Sequence, residues 1–325
     1  MVALRELGHE VLDFPQVVGG RAIAFEQVAS CDLVHIHRFV PNDDDTFVPR
    51  LKERGVVVTF DNDDAMDVIP PAARRLIEGV KSPDYIQAAV DMFHRTLALM
   101  PLFDLVTVPS EALGERMREA GALDVRVIDN RLPDRFLDVP TPEPDRLTIG
   151  WHGFVEHMAD YEALGLREVF ERLLDKQPHI QLFTIGLDLG LDDDRYGWTD
   201  WVHFEQLTKK LASFDLGLAP IVDNAFNRSR SNCKVREYAA AGVPWLASPV
   251  GPYQRLGKEE GGKLVADGDW YQEIEQALKS PFKRSRAARR AKAWAKRETI
   301  SQTVALWEDA FYDALESAER TEQIV

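Results

Sequence analysis

Short apolar runs alternate along this chain with longer stretches whose apolar positions recur every three or four residues. The runs at 33–36 (LVHI), 56–60 (VVVTF), 105–108 (LVTV) and 125–128 (VRVI) have few polar breaks, the pattern of strands buried on both faces of a parallel sheet. Further strands are expected near Leu147, Ile180, Trp201, Leu216 and Trp245. Helical periodicity fills the intervals, and two helices over 281–297 and 300–318 follow the last strand. Such alternation predicts α/β units with helices on both faces of each sheet. A boundary falls in the proline-rich stretch 138–145 (DVPTPEPD), which cannot be a central strand or a helix. No internal repeat of solenoid length is present.

The segment 227–253 (NRSRSNCKVREYAAAGVPWLASPVGPY) reads as loop, helix, turn, strand and loop. Ser231 or Asn232 serves as N-cap, and 234–241 supply strong helix formers. Gly242 stands where a left-handed C′ residue is wanted, Pro244 blocks continuation of the helix, and 243–248 form a short strand. Arg228, Arg230 and Lys234 lie on or just before the helix N-terminus, where free N–H groups already favour an anion. Glu237 lies one turn past Lys234 on nearly the same face. Cations with a carboxylate behind them suit a diphosphate joined to a hydroxyl-bearing ribose. On these residues alone, a surface helix with an i,i+3 Lys–Glu pair explains the pattern as well.

The segment also resembles the donor-binding helix of retaining glycosyltransferases of the GT-B architecture, the large family once called group 1 (family 4-like). That family carries a pattern close to S-x-x-K-x-x-E-Y-x-A-x-G-x-P-x-x-A-S. Ser231, Lys234, Glu237, Tyr238, Ala240, Gly242, Pro244, Ala247 and Ser248 match it. Similar stretches recur in the family's order: 104–110 (DLVTVPS), 127–136 (VIDNRLPDRF), 149–160 (IGWHGFVEHMAD), 181–186 and 215–220. The resemblance implies two Rossmann-like domains facing a cleft. An acceptor domain would span 1–140 and a nucleotide-sugar donor domain 141–300, with a last helix, 301–325, crossing back to the first domain. It implies retention of configuration, with no metal and no cofactor beyond the nucleoside-diphosphate sugar.

The residue pattern and the resemblance together make Lys234, Arg230 and Asp61 the catalytic candidates, Asp61 standing where many relatives have His. Glu237, Arg228, Ser231, Asn232, Tyr238, Gly153, His152 and Gly186 fall on the donor side, and His37, Arg38 and Asp63 on the acceptor side. Three departures stand out. Ser229 occupies the position eight before Glu237, where the family often has a second glutamate. The loop 151–160 has no Lys or Arg, only His152 and His157. The chain opens on the helix ending in Gly8-His9, so the N-terminal domain is expected to lack the family's first strand.

The 325 residues suffice for two ordinary domains, and a hydrophobic fraction of 45% is that of a globular protein. A formal net charge of −15 argues against sequence-independent nucleic-acid binding. Cys31 and Cys233 have neither disulfide-framework nor metal-ligand spacing. No apolar run approaches the roughly 20 residues of a membrane span, and the stretch after Met1 is expected to form an amphipathic helix and not a leader. A cytoplasmic protein is expected. The basic stretch 283–297 leaves peripheral contact with anionic lipid open. Its apolar side is mostly Ala with Trp294, which favours a solvated helix facing acidic groups of its own chain. The acidic run 192–194 reads as a solvated loop.

Asp61-Asn62-Asp63-Asp64 follows an apolar strand, at the end that faces a ligand crevice. It admits three readings: an acceptor-side site, a metal-binding Asp-x-Asp of the other glycosyltransferase fold, or a solvated loop. His35 and His37 share one face of their strand, and either could be structural. Gly153 would let backbone approach a phosphate. Beside the transferase, two alternatives remain: a nucleotide-sugar-binding protein without turnover, and a sugar-nucleotide epimerase or hydrolase. The acceptor, whether glycan, lipid-linked, protein or small molecule, is not specified by the sequence.

Overall fold

The computed structural model describes residues 1–14, 25–40, 45–139 and 146–322. Two parallel sheets result. The first contains β1 (Leu33–His37), β2 (Val57–Asp61), β3 (Leu105–Val108) and β4 (Val125–Val127) in the order β1-β2-β3-β4. The second contains β5 (Leu147–His152), β6 (Ile180–Ile185), β7 (Tyr196–Thr199), β8 (Leu216–Ala219), β9 (Trp245–Ala247) and β10 (Gly262–Leu264) in the order β10-β9-β8-β5-β6-β7. The second order reverses direction between β5 and β8. That topological switch opens a crevice beyond their carboxyl ends, where doubly wound sheets bind ligands.

The N-terminal half carries helices α1 (Val2–Glu6), α2 (Phe25–Val28), α3 (Phe47–Glu53), α4 (Pro71–Val80), α5 (Pro83–Ala98) and α6 (Glu111–Glu119). The C-terminal half carries α7 (His157–Ala163), α8 (Leu166–Lys176), α9 (Phe204–Leu211), α10 (Ala225–Ser229), α11 (Cys233–Ala240), α12 (Trp270–Lys279) and α13 (Pro281–Ala295), followed by α14 (Ile300–Glu322). Strand register explains the core. Val58, Phe60, Val106 and Val108 pack one face of the first sheet with α3, α5 and α6. Val57 and Leu105 pack the other face against Ala310 and Ala314 of α14. The last helix therefore covers the N-terminal sheet. His35 is structural here: its ring sits against Trp307 and Phe311 at 5.6 and 5.3 Å, bonds Thr59 at 2.9 Å, and is held neutral by burial.

Two elements differ from the expected pattern, and both are edge strands. The strand expected near Trp201 lies at Tyr196–Thr199, and Trp201 itself is 50% exposed beyond the end of β7. β10 has only three residues, with Gly262 so close to the Trp245 ring that a Cβ would come within 2.1 Å. Among the described residues no strand precedes β1; residues 15–24 and most of the 138–145 stretch lie outside them. Helix α13 turns Ala291, Trp294 and Ala295 inward, so the apolar side of the basic stretch is buried against its own domain. No helix of the described residues is long and apolar enough to cross a membrane.

Candidate functional site

The crevice at the β5–β8 switch is built on a backbone that needs glycine. Gly186, after β6, has φ +76°, and a Cβ there would meet the Gly153 carbonyl at 2.3 Å. A Cβ on Gly153 would in turn meet the His157 ring at 2.7 Å. The ends of β5 and β6 therefore approach each other backbone to backbone. Tyr238 braces the next pair: its hydroxyl accepts from His152 N at 3.2 Å and donates to Leu218 O at 2.8 Å. This fully buried ring was expected on the donor side; it instead fills the space over Gly217 and ties β5 to β8.

Helix α11 points its first turn at this crevice. Gly242 ends the helix at φ +75°, and Asn232 is the N-cap by position, although its side chain makes no capping bond. Lys234 and Glu237 flank His152, whose Nε2 lies 3.3 Å from Glu237 Oε2 but off the line of a hydrogen bond. The Lys234 ammonium makes no hydrogen bond or ion pair with another described residue. Burial lowers its pKa, Arg230 adds to the effect, and Glu156 and Glu237 oppose it. Burial raises the Glu237 carboxyl, with Lys234 opposing. His152 is held well below the ordinary imidazole value by burial and then by Lys234. The crevice thus holds an acid, a base and a cation whose charges are incompletely met.

Arg230 reaches across from the end of α10. It donates to Glu156 Oε1 at 2.8 Å, lies 3.2 Å from His157 Nε2, and covers the Phe226 ring at 5.1 Å. Burial works against its charge, but Glu156 and Asp64 hold it ionised. His157 passes the connection to Asp160 at 2.9 Å, and Asp160 accepts from Val222 N at 2.9 Å and Asn227 Nδ2 at 2.8 Å. Burial pushes Asp160 up to about 6. Glu156, Asp160 and Asn227 were not anticipated. In sequence they read as ordinary polar positions, and their partners (Arg230, Val222 and one another) lie far apart along the chain.

The opposite wall comes from the first sheet. His37 Nδ1 meets Asp61 Oδ1 at 2.6 Å, and Thr107 donates to Asp61 Oδ2 at 3.1 Å. The bond to Asp61 raises the His37 pKa, and burial opposes it. Arg38 has φ 64°, the one positive value at a non-glycine among the described residues, a strain of the kind that gathers at functional sites. Its fork pairs with Asp63 at 2.6 Å and Asp64 at 3.2 Å. Burial, then Asp63, raises the Asp64 pKa, while Arg230 and Arg38 lower it, so the acidic loop faces the Arg230 end of the other lobe.

Three expected donor residues turn elsewhere. Arg228 is exposed and forks onto Asp223 at 2.5 and 2.9 Å, because α10 directs it away from α11. Ser231 Oγ lies against Cys233 Sγ at 3.2 Å. Asn232 is buried, donating to Asp129 at 3.1 Å and accepting from Arg236 Nε at 2.6 Å. Arg236, 3% exposed, pairs with Asp129 at 2.8 Å and also with Glu298, which bonds Arg131. This charge cluster joins α11 to the two segments that pass between the lobes, which pair through Leu132 and Thr299. Ser229 is buried and bonds Ala225 O at 2.9 Å, while its carbonyl accepts from Ser110 of the other lobe at 3.0 Å.

Solved structures with a similar fold include Anabaena HepE in complex with UDP and glucose, at 15% identity and TM-score 0.57, over 88% of this chain and 79% of that one. This is the GT-B fold. The Thermosynechococcus elongatus sucrose-phosphate synthase aligns at 16% identity and TM-score 0.59, over 88% of this chain and 74% of its own. A UDP-forming trehalose-phosphate synthase from Burkholderia xenovorans aligns at 15% identity and TM-score 0.57, over 89% and 74%. No protein-family model matches the sequence, and no curated protein does.

Proposed function

We propose that the protein is a glycosyltransferase that moves a sugar from a nucleoside-diphosphate sugar to an acceptor hydroxyl, with retention of configuration and without a metal. The observation that carries this is the unpaired Lys234 ammonium beside Glu237, at the first turn of a helix aimed into the switch-point crevice. A diphosphate is the kind of ligand that a cation at a helix N-terminus suits. Lys234 and Arg230 would meet the charge that grows as the diphosphate departs, a preorganised electrostatic effect. Glu237 would accept the ribose hydroxyls, and Gly153 and Gly186 let backbone approach the phosphates. Asp61, steadied by His37 and Thr107, would face the acceptor from the first lobe. Pairing of Asp63 and Asp64 with Arg38 favours an internally paired wall over a metal site. The HepE structures, which hold UDP with glucose or UDP-glucose, support this class of donor.

Binding without transfer is a second reading, favoured by Ser229. Turned inward, it presents no carboxylate to the transferred sugar eight positions before Glu237. A donor and acceptor panel separates the two. The anomeric proton coupling of the product should match that of the donor. An inverted linkage would remove the retaining mechanism, free sugar without acceptor would indicate a hydrolase, and tight donor binding without any product would favour the second reading.

A further inference from the structure

Beside Glu156 lies a cavity of about 170 Å³ between the two lobes. Pro70, Ala72 and Ala73 at the start of α4 form one wall, and Ala159 and Asp160 of α7 form another. Val222, Asn224 and Phe226, from the loop after β8 and the start of α10, close it. The volume is many times the ~10–15 Å³ that seats one water and below the ~300–1,000 Å³ of drug-sized sites, a scale that suits one sugar ring.

The polar groups that line it are specific. Asp160 has both oxygens engaged, by Val222 and Asn227 on one and His157 on the other. Glu156 has one oxygen on Arg230, whereas its Oε2 has no partner although the residue is only 7% exposed. Asn224 uses its carbonyl to cap α10 at 2.9 Å, and its amide NH₂ bonds no other described residue. The site therefore offers a donor at Asn224 over apolar surface, with the unpartnered Glu156 Oε2 buried just behind its wall. No Lys, Arg or His side chain lines it.

We propose that this cavity binds an uncharged, polyhydroxylated ring of the acceptor, and that the enzyme selects neutral sugars over sugar phosphates. The proposal rests on the transferase reading for the role of that ring. Hydroxyls both donate and accept, so one accepts from the Asn224 amide while a turn of the Glu156 side chain lets its Oε2 accept from another. A phosphate would lie against the Asp160 carboxylate and the far side of the Glu156–Arg230 pair with no cation in the lining itself, so its charge would be buried without a partner. The ring's apolar face would rest on Phe226 and the alanines.

Saturation-transfer NMR on the full chain without donor tests this, using the methyl α-glycosides of glucose, galactose, mannose and N-acetylglucosamine beside the corresponding 6-phosphates. At least one neutral glycoside should bind saturably and at least 10-fold more tightly than its phosphate. Ala159→Leu and Ala73→Leu fill the cavity from opposite lobes, and each should abolish that binding while melting temperature and UDP affinity stay within 2 °C and twofold. Failure of every neutral glycoside, phosphates binding as well as them, or binding that survives in both filled variants would overturn the proposal. Glycoside binding with no nucleotide binding would instead count against the donor reading alone.

Discussion

Asp160→Asn tests whether a buried carboxylate really stands at the centre of the crevice network. Burial raises the folded-state pKa of Asp160 from an ordinary 3.8 to about 6, despite bonds from Val222 and Asn227. A carboxyl with a raised folded pKa contributes stability that is complete below 3.8 and is lost as the pH rises through 6. The full effect is roughly 3 kcal/mol, from ~1.4 kcal/mol per pKa unit, and between pH 5 and pH 7.5 it amounts to about 1.4 kcal/mol. Asparagine keeps the size and an acceptor for Val222 N but has no charge to bury. Urea titrations at several pH values, followed by the fluorescence of Trp151 and Trp270 in the same lobe, give the wild-type minus variant difference. That difference should shift by about 1.4 kcal/mol in favour of the wild type as the pH falls from 7.5 to 5. Parallel profiles would mean that Asp160 is solvated, and the buried network from Arg230 through His157 would lose its support.

Other consequences follow from the same contacts. Chelator should leave transfer activity largely intact, because Arg38 already pairs Asp63 and Asp64; an absolute requirement for manganese or magnesium, abolished by Asp63→Ala, would restore the metal reading. Ala240→Asp places a charge in the fully buried face of α11 and should lower the melting temperature sharply or prevent folding, whereas a near-native melt would contradict that packing. Arg236→Met leaves Asp129 and Glu298 short of a partner and should destabilise by about 3 kcal/mol, the low end for breaking a buried pair, since Arg131 still meets Glu298. An unchanged urea midpoint would show that the cluster is solvated.

The central strands were legible because burial on both faces leaves an unbroken apolar run, as in 105–108. β7 and β10 were misplaced or missed because each is an edge of the second sheet, where one side is relieved of packing and the run shortens or takes in glycine. In the site, helical spacing was enough to put Lys234 and Glu237 together. It did not say which side of α11 faces the crevice, so Tyr238, one position on, was read as a ligand contact when it faces the sheet. Glu156 and Asp160 gave no signal, since their partners Arg230, Val222 and Asn227 are far away in sequence.

The most direct test of the account is titration calorimetry with UDP, GDP and ADP on the wild type, Glu237→Gln and Lys234→Ala. One nucleotide should bind the wild type. Glu237→Gln should bind it roughly 10- to 100-fold more weakly, since a bond to a charged group contributes about 1.5–3 kcal/mol. Lys234→Ala should depress turnover more than affinity, because its cation matters most as the diphosphate leaves. If both variants bind and turn over donor as the wild type does, with unchanged melting temperatures, α11 is only a surface helix and the donor site lies elsewhere.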